Sequence, residues 1–434
     1  MMNTIQAQTN QFGDSVYINQ AKTLLLTLNI ADFQKATTFF DESVANQVSP
    51  AVLKKAWEQL EGQVGDIKST GRPRIEGGGS QKVVYIPCVF ENITLDFKVP
   101  FSDKQKALGF FFVPHADPGD YKLPSYADTS VVTEQKITVV SGDIKLPGVF
   151  LYPKNPKKKI PIVILVHGSG PNDMDESIEA NKPFKDLAYG LAKQGIGVIR
   201  YDKRTKIYAR QMLGKNDITL ESETIIDAIS AARLARSLPQ ADTNRIIIIG
   251  HSLGAMAAPL IAAQAGYLVN GIVIIAGPAR PLEDIIYEQY DYLGSLVPNS
   301  RNKKDLSLLK IKVNNVHKGN ITPQTPSSAL PLDLPAPYWI FLHNYHQTDE
   351  VKKLTIPILI LQGERDYQVS MDDFKLWEKA LKNKKNVSFK SYPKLNHLFM
   401  EGEGKSVPAE YDTPGHVADY VVDDIAKWTL GIGK

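Results

Sequence analysis

Five consecutive residues, Gly250-His251-Ser252-Leu253-Gly254, constrain this chain more tightly than any other stretch. Before them runs Arg245-Ile246-Ile247-Ile248-Ile249, an apolar β-branched segment that predicts a buried strand. After them come Ala255-Met256-Ala257-Ala258-Pro259-Leu260-Ile261-Ala262-Ala263, small and mostly helix-forming residues. Strand, G-x-S-x-G and helix in that order are the setting of a nucleophile elbow, a tight strained turn that lifts a serine hydroxyl above a sheet. Glycine at both ends lets strand and helix approach closely. The pentapeptide alone arises often by chance; between these flanks it points to a catalytic serine rather than a structural turn.

At 434 residues the chain exceeds one ordinary domain. A hydrophobic content of 43% and a charged content of 22% are those of a globular protein able to bury a large core. The net charge of +3 gives no reason to expect nucleic acid as a partner. Lys157-Lys158-Lys159, flanked by prolines, reads as a solvated loop. The single cysteine, Cys88, rules out an intrachain disulfide and a cysteine-rich zinc site. It sits in a strand-like run, Val83 to Phe90, and is expected to be a buried, inert thiol. No apolar run approaches the roughly 18 to 20 residues of a membrane helix. Ile5-Gln6-Ala7-Gln8 resembles the tail of a bacterial signal peptide. The chain is therefore expected to begin inside or just after an export signal, which favours an extracytoplasmic location.

Residues 15–115 predict a small α+β domain. Helical spacing covers 18–40 and 52–60, with Ser49-Pro50 as break and cap, and β-rich runs follow at 83–90, 93–99 and 108–113. Residues 116–134, rich in Pro, Asp, Ser and Tyr, read as a linker. From 135 to 434 a hairpin (136–140 with 146–152) leads into alternating strands and helices. Strands are expected at 160–166, 197–200, 245–249, 271–275, 356–361 and 387–391, and helices at 183–193, 220–237, 255–265 and 373–381. Such alternation implies an α/β fold with a doubly wound, mostly parallel sheet. About eighty residues separate the fourth and fifth of these strands, too many for a structureless loop. Helical patterning at 281–293 and 302–313 predicts a helical cap insertion over about 278–355.

A serine hydroxyl becomes a nucleophile only when a base takes its proton and a third group orients that base. Ile356-Pro357-Ile358-Leu359-Ile360-Leu361 reads as a late strand, and Gln362-Gly363-Glu364-Arg365-Asp366 follows it. Asp366 is the expected acid, with Glu364 its rival. Asp372 and Asp373, at a helix start, read as N-caps. The strand Val387-Ser388-Phe389-Lys390-Ser391 leads to Pro393-Lys394-Leu395-Asn396-His397, which makes His397 the expected base. His251 should pack beside the nucleophile; His115, His317 and His416 have no supporting neighbours in sequence. Two N–H groups must stabilise the oxyanion. Leu253 supplies one, and the loop Val166-His167-Gly168-Ser169-Gly170 supplies the other through Ser169, with His167 as a buttress. Asp173, Asp175, Glu176 and Glu179 follow; their spacing matches no calcium loop, and loop capping is the expected role. No metal or cofactor is called for.

These pieces resemble a known family. The segment from about 130 to 434 is similar to a bacterial α/β-hydrolase of the esterase/dienelactone-hydrolase type. The shared residues are His167-Gly168-Ser169-Gly170-Pro171, Arg200-Tyr201-Asp202-Lys203-Arg204, Gly250-His251-Ser252-Leu253-Gly254, Gly363-Glu364-Arg365-Asp366 and Asn396-His397. Residues 15–115 resemble a small domain of unknown function that precedes some of these hydrolases. The resemblance implies a serine carboxylesterase acting on short acyl esters, small molecules, with Ser252, His397 and Asp366 as its triad. An acyl-thioesterase, a serine peptidase and an inactive binding scaffold are the competing readings. Where such relatives usually run into glycines after Arg204, this chain has Thr205-Lys206-Ile207, a change bordering the active-site mouth.

Overall fold

A computed structural model describes the chain apart from residues 1, 72, 77–81, 116–120, 213–214, 297–299 and 434, and apart from the side chains of 2–15, 210, 300–302 and 412. The export-signal expectation at Ile5-Gln6-Ala7-Gln8 rests on side chains outside that description. The chain divides into two compact units, Met1–Pro118 and Gly119–Lys434.

In the first unit, helices Met2–Asn29 and Pro50–Val64 accompany an antiparallel sheet of β1 (Ile67–Thr70), β2 (Arg74–Glu76), β3 (Lys82–Phe90), β4 (Thr94–Phe101) and β5 (Phe111–Pro114). Strand β3 pairs with β1, β2 and β4, and β4 with β5. Alternate residues of β3 (Val84, Ile86, Cys88, Phe90) face Leu24, Leu28, Leu53 and Trp57 in one core. The expected helix over 18–40 is broken: Ala31 takes a φ of 59°, and the Asp32 side chain accepts from the Lys35 N–H at 3.1 Å to start a new short helix, Phe33–Ala36. Strands β1 and β2 were not foreseen, being too short to show a period. Ser49 caps Pro50–Val64 as expected, accepting from Val52. Burial pushes the Cys88 thiol up to about 12, so it carries no thiolate at neutral pH. His115 does have a partner: its Nδ1 lies 2.7 Å from the buried Asp96, which also receives Arg74 Nη1 at 2.6 Å.

The second unit is built on β6 (Val132–Ser141), β7 (Ile144–Pro153), β8 (Ile160–Val166), β9 (Gly197–Tyr201), β10 (Ala241–His251), β11 (Gly271–Ile275), β12 (Ile358–Gly363) and β13 (Val387–Tyr392). Their order in the sheet is β13-β12-β11-β10-β8-β9-β7-β6. From β13 to β9 every pairing is parallel, and the hairpin β6–β7 closes one edge antiparallel. Alternation sorts the central strands between two cores. Ile162, Ile164, Ile246, Ile248, Ile272 and Ile274 face one side, and Val163, Leu165, Ile247, Ile249, Val273 and Ile275 the other. Strands covered on both faces read as unbroken apolar runs, which is why they are legible in sequence.

Helices Pro183–Lys193, Ile226–Ser237, Leu253–Ala265, Met371–Leu381 and Asp419–Gly431 cover the sheet. One turn of π-helix, Glu221–Ile225, opens what sequence predicts as a single helix over 220–237. Residues 121–131 pack within this unit: Tyr121 donates to Asp186 at 2.6 Å and Tyr126 to the Val417 carbonyl at 2.8 Å. The insertion between β11 and β12 contains helices Leu282–Leu296, Ser300–His317, Ala336–Asn344 and Gln347–Lys353. Asp373 does not cap its helix; Ser370 does, accepting from Asp372. Asp373, fully buried, instead accepts from the N–H groups of Ala279 (2.9 Å) and Arg280 (3.0 Å) and from the Arg280 guanidinium (2.7 Å).

Candidate active site

Strand β10 ends at His251, and the next residue, Ser252, has φ 53° and ψ −118°. An L residue held there is strained by about 1–3 kcal/mol and persists only when its surroundings fix it. Here the Ser252 N–H donates to the Ile275 carbonyl of the neighbouring strand at 3.0 Å, and helix Leu253–Ala265 begins at once. A Cβ on Gly254 would collide with the carbonyl oxygens of Val166 and His167, and one on Gly250 with the backbone of Gly254. The turn therefore needs both glycines.

The chain leaves β12 at Gly363 and turns through Asp366. One carboxylate oxygen, Oδ1, accepts from the N–H groups of Gln368 (2.7 Å) and Val369 (3.0 Å). The other, Oδ2, accepts from Gln362 Nε2 (3.2 Å) and lies 2.7 Å from His397 Nδ1. Both side chains are buried. The bond to Asp366 occupies Nδ1, which leaves Nε2 as the ring nitrogen able to take a proton. Glu364 is engaged elsewhere, accepting from the Ser391 hydroxyl at 2.8 Å. The His397 ring packs against that of His251, the residue before Ser252, with ring centres 4.7 Å apart and planes tilted by 48°. Among the described residues no hydrogen bond joins Ser252 Oγ to His397; such bonds are often long in the free state and tighten with substrate bound.

The loop after β8 runs against the nucleophile. A Cβ on Gly168 would stand 3.1 Å from Ser252 Cβ and 3.6 Å from its Oγ. Among the described hydrogen bonds, neither the Ser169 nor the Leu253 N–H donates to a protein acceptor, whereas the Gly168 N–H is taken by Glu176 Oε1 at 2.6 Å. The Gly168 carbonyl accepts from Lys203 Nζ at 2.8 Å and from Asn172 Nδ2 at 3.2 Å. His167 lies buried between Phe184 and Tyr201, 5.1 and 5.4 Å away between ring centres. Burial lowers it to about 4, so it is neutral near pH 7 and serves as a wall.

Glu176 is a residue that sequence reasoning undervalued. It belongs in sequence to an acidic cluster of which Asp173 accepts from the N–H groups of Asp175 and Ser177, and Asp175 pairs with Arg200. Glu176, almost fully buried, holds the Gly168 N–H with one oxygen, and its Oε2 lies 2.9 Å from His251 Nδ1. His251 Nε2 in turn donates to the His397 carbonyl at 3.0 Å. Burial works against a charged His251 ring, but the Glu176 carboxylate outweighs it and lifts the ring above the ordinary histidine value. Burial works equally against a charged Glu176, and the His251 ring outweighs it in the other direction. This buried carboxylate–imidazole contact sits between the Gly168 loop and the His397 loop. Only the position of His251 inside the elbow, beside Ser252, hinted at it. His416 and His317 also find carboxylates, Asp186 at 3.2 Å and Asp284 at 2.9 Å, contrary to the expectation that they stand alone. Among the described residues, no cluster of three or more His, Cys, Asp or Glu could hold a metal ion.

Comparison with known proteins extends this picture. Residues 157–404 match the family described as "Serine aminopeptidase, S33", and residues 21–110 match "Protein of unknown function (DUF3887)". Over 411 residues, 93% of either chain, the protein is 38% identical to Esterase EstD of Thermotoga maritima. Among solved structures it is similar to Est1E from Butyrivibrio proteoclasticus, at 19% identity and a TM-score of 0.45, covering 68% of this chain and 97% of that one. It is similar also to an esterase of Pyrococcus furiosus, at 16% identity and a TM-score of 0.43, covering 73% and 96%. With over half its length matched by one family and a relative aligned nearly end to end, the chain belongs to the Serine aminopeptidase, S33, family of hydrolases.

Proposed function

We propose that this protein is a serine carboxylesterase for short acyl esters, with Ser252 as nucleophile, His397 as base, Asp366 as the acid that orients it, and the Ser169 and Leu253 N–H groups as oxyanion hole. The observation that carries this reading is the 2.7 Å bond between His397 Nδ1 and an Asp366 carboxylate already fixed by two backbone N–H groups. The kinship with an esterase along 93% of the chain supports ester as the bond cleaved.

In the mechanism His397 Nε2 takes the hydroxyl proton while Ser252 Oγ bonds to the acyl carbon. The carbonyl oxygen becomes an alkoxide and moves toward the two free N–H groups. Collapse expels the alcohol, which leaves with the proton from His397. Water, deprotonated by the same ring, then releases the acid and frees Ser252. Asp366 remains ionised throughout and stabilises the imidazolium. The insertion serves as a cap over this site. Tyr345, which donates to the Met256 carbonyl at 2.7 Å one turn beyond Ser252, supports that role.

Ser252→Ala should lower kcat for p-nitrophenyl acetate by roughly 10⁴-fold or more, and should remove labelling by a fluorophosphonate probe. Turnover retained in this variant would overturn the reading. The family's description favours a second substrate, the aminoacyl amide bond. Aminoacyl p-nitroanilides assayed beside the ester panel separate the two: faster cleavage of the anilides, normalised to KM, would replace ester with peptide.

A further inference from the structure

The peptide unit between Gly168 and Ser169 has two differently occupied ends. Its N–H, on Ser169, is the donor assigned to the oxyanion and has no protein acceptor among the described hydrogen bonds. Its C=O, on Gly168, accepts from Lys203 Nζ at 2.8 Å and from Asn172 Nδ2 at 3.2 Å. Lys203 stands just past the end of β9, with a side chain only 3% exposed, and its Nζ also donates to Glu223 Oε1 at 2.5 Å in the π-helical turn. A lysine is seldom buried so deeply. Burying an ammonium with its carboxylate is no efficient way to stabilise a core, because desolvation offsets the attraction. The placement therefore asks for another use.

An amide is a resonance system, so charge drawn toward its oxygen leaves its N–H a stronger donor. Hydrogen bonds in series strengthen one another in this way, and a low local dielectric enlarges the effect. A charged donor on the oxygen acts more strongly than a neutral one. We propose that Lys203 is a positioning residue of the oxyanion hole: its ammonium grips and polarises the Gly168–Ser169 peptide, so that the Ser169 N–H is aimed and strengthened for the alkoxide of the transition state. Glu223 holds the ammonium in place, and Glu176, on the Gly168 N–H, fixes the preceding peptide so that the unit cannot turn over. The inference rests on the esterase reading above, within which it explains why Lys203 lies against the Ser169 loop.

The test is made on the full chain. Lys203→Met alone would leave the buried Glu223 carboxylate without its cation, so it is combined with Glu223→Gln, which keeps an acceptor for the Tyr338 hydroxyl; Asn172→Ala removes the weaker donor to the same carbonyl, at a half-buried position, together with its 3.0 Å bond to the Ser169 carbonyl. Two inhibitors report on the hole: an aryl trifluoromethyl ketone, which adds to serine as a tetrahedral alkoxide, and its methyl ketone analogue, which stays trigonal. For the double variant kcat on p-nitrophenyl acetate should fall about 10- to 100-fold, less than the roughly 10²–10³-fold cost of losing an oxyanion donor outright, with KM within about twofold. Affinity for the trifluoromethyl ketone should fall by the same factor and that for the methyl ketone should not change. Asn172→Ala should show the same pattern at about two- to fivefold. The proposal is overturned if both variants keep kcat and trifluoromethyl ketone affinity within about twofold of the parent, or if the two ketones weaken equally, which marks a loop that has merely lost its shape. Failure of the underlying reading is seen separately, as a parent protein that is not labelled by fluorophosphonate.

Discussion

Ser252 holds a backbone conformation that suits glycine better than any L residue. Ser252→Gly should therefore abolish turnover while stabilising the fold by about 1 kcal/mol, the strain of about 1–3 kcal/mol released less the extra unfolded-state entropy of glycine. Calorimetry of the two proteins checks this, and a lower midpoint for the variant would show that the turn is unstrained. The Glu176–His251 pair makes a second prediction at this scale. His251 is lifted above its ordinary 6.5, so its contribution to stability is full below that pH and is lost as pH rises through the raised value. Glu176 is held below its ordinary 4.5, so its contribution is full above that pH and is lost as pH falls through the lowered value. The gap in thermal midpoint between the parent and Glu176→Gln should be widest between those two pH values; a gap constant from pH 4 to 9 would mean that the pair is not ionised. Residue identities near the elbow were legible because strand, turn and helix are contiguous there. Partners were not. Nothing in the sequence around His397 points to His251, nor around Gly168 to Lys203, since each contact joins loops from different strands. Glu364 and Asp366 could be weighed but not separated by position alone; the turn gives Asp366 the N–H groups of Gln368 and Val369 and sends Glu364 to Ser391.

The strands were the most readable elements. Gly271–Ile275 and Ile160–Val166 match their expected limits because cores on both faces demand apolar residues throughout. Helix starts were less readable. Two acidic residues at the head of Met371–Leu381 look like caps, yet Ser370 takes that role and Asp373 points into the protein. There it closes the entry to the insertion by gathering the backbone and guanidinium of Arg280. Asp373→Ala leaves the N–H groups of Ala279 and Arg280 without their acceptor, while Glu288 still pairs with the Arg280 guanidinium, and should destabilise the protein by about 1–3 kcal/mol, read as a lower urea midpoint. A shift of under about 1 kcal/mol would show that the insertion is held by its apolar contacts instead. The π-helical turn at Glu221–Ile225 could not be foreseen, since it alters the hydrogen-bond pattern and not the apolar spacing.

At the scale of the whole molecule, two units with separate hydrophobic cores should not melt as one. Calorimetry is expected to resolve two transitions, the smaller belonging to Met1–Pro118, and a single transition with equal calorimetric and van't Hoff enthalpies would contradict this. The first unit was readable only in outline, because β1 and β2 are three or four residues long and gain their identity from β3. That same strand has a practical consequence. Its Cys88 is the chain's one thiol, enclosed on every side and held protonated by burial. Maleimides and other thiol reagents should pass the folded protein by, so a cysteine introduced anywhere on its surface would be a unique attachment point. A spin label or fluorophore placed on the insertion would then report on that segment alone, with no background from the native sequence.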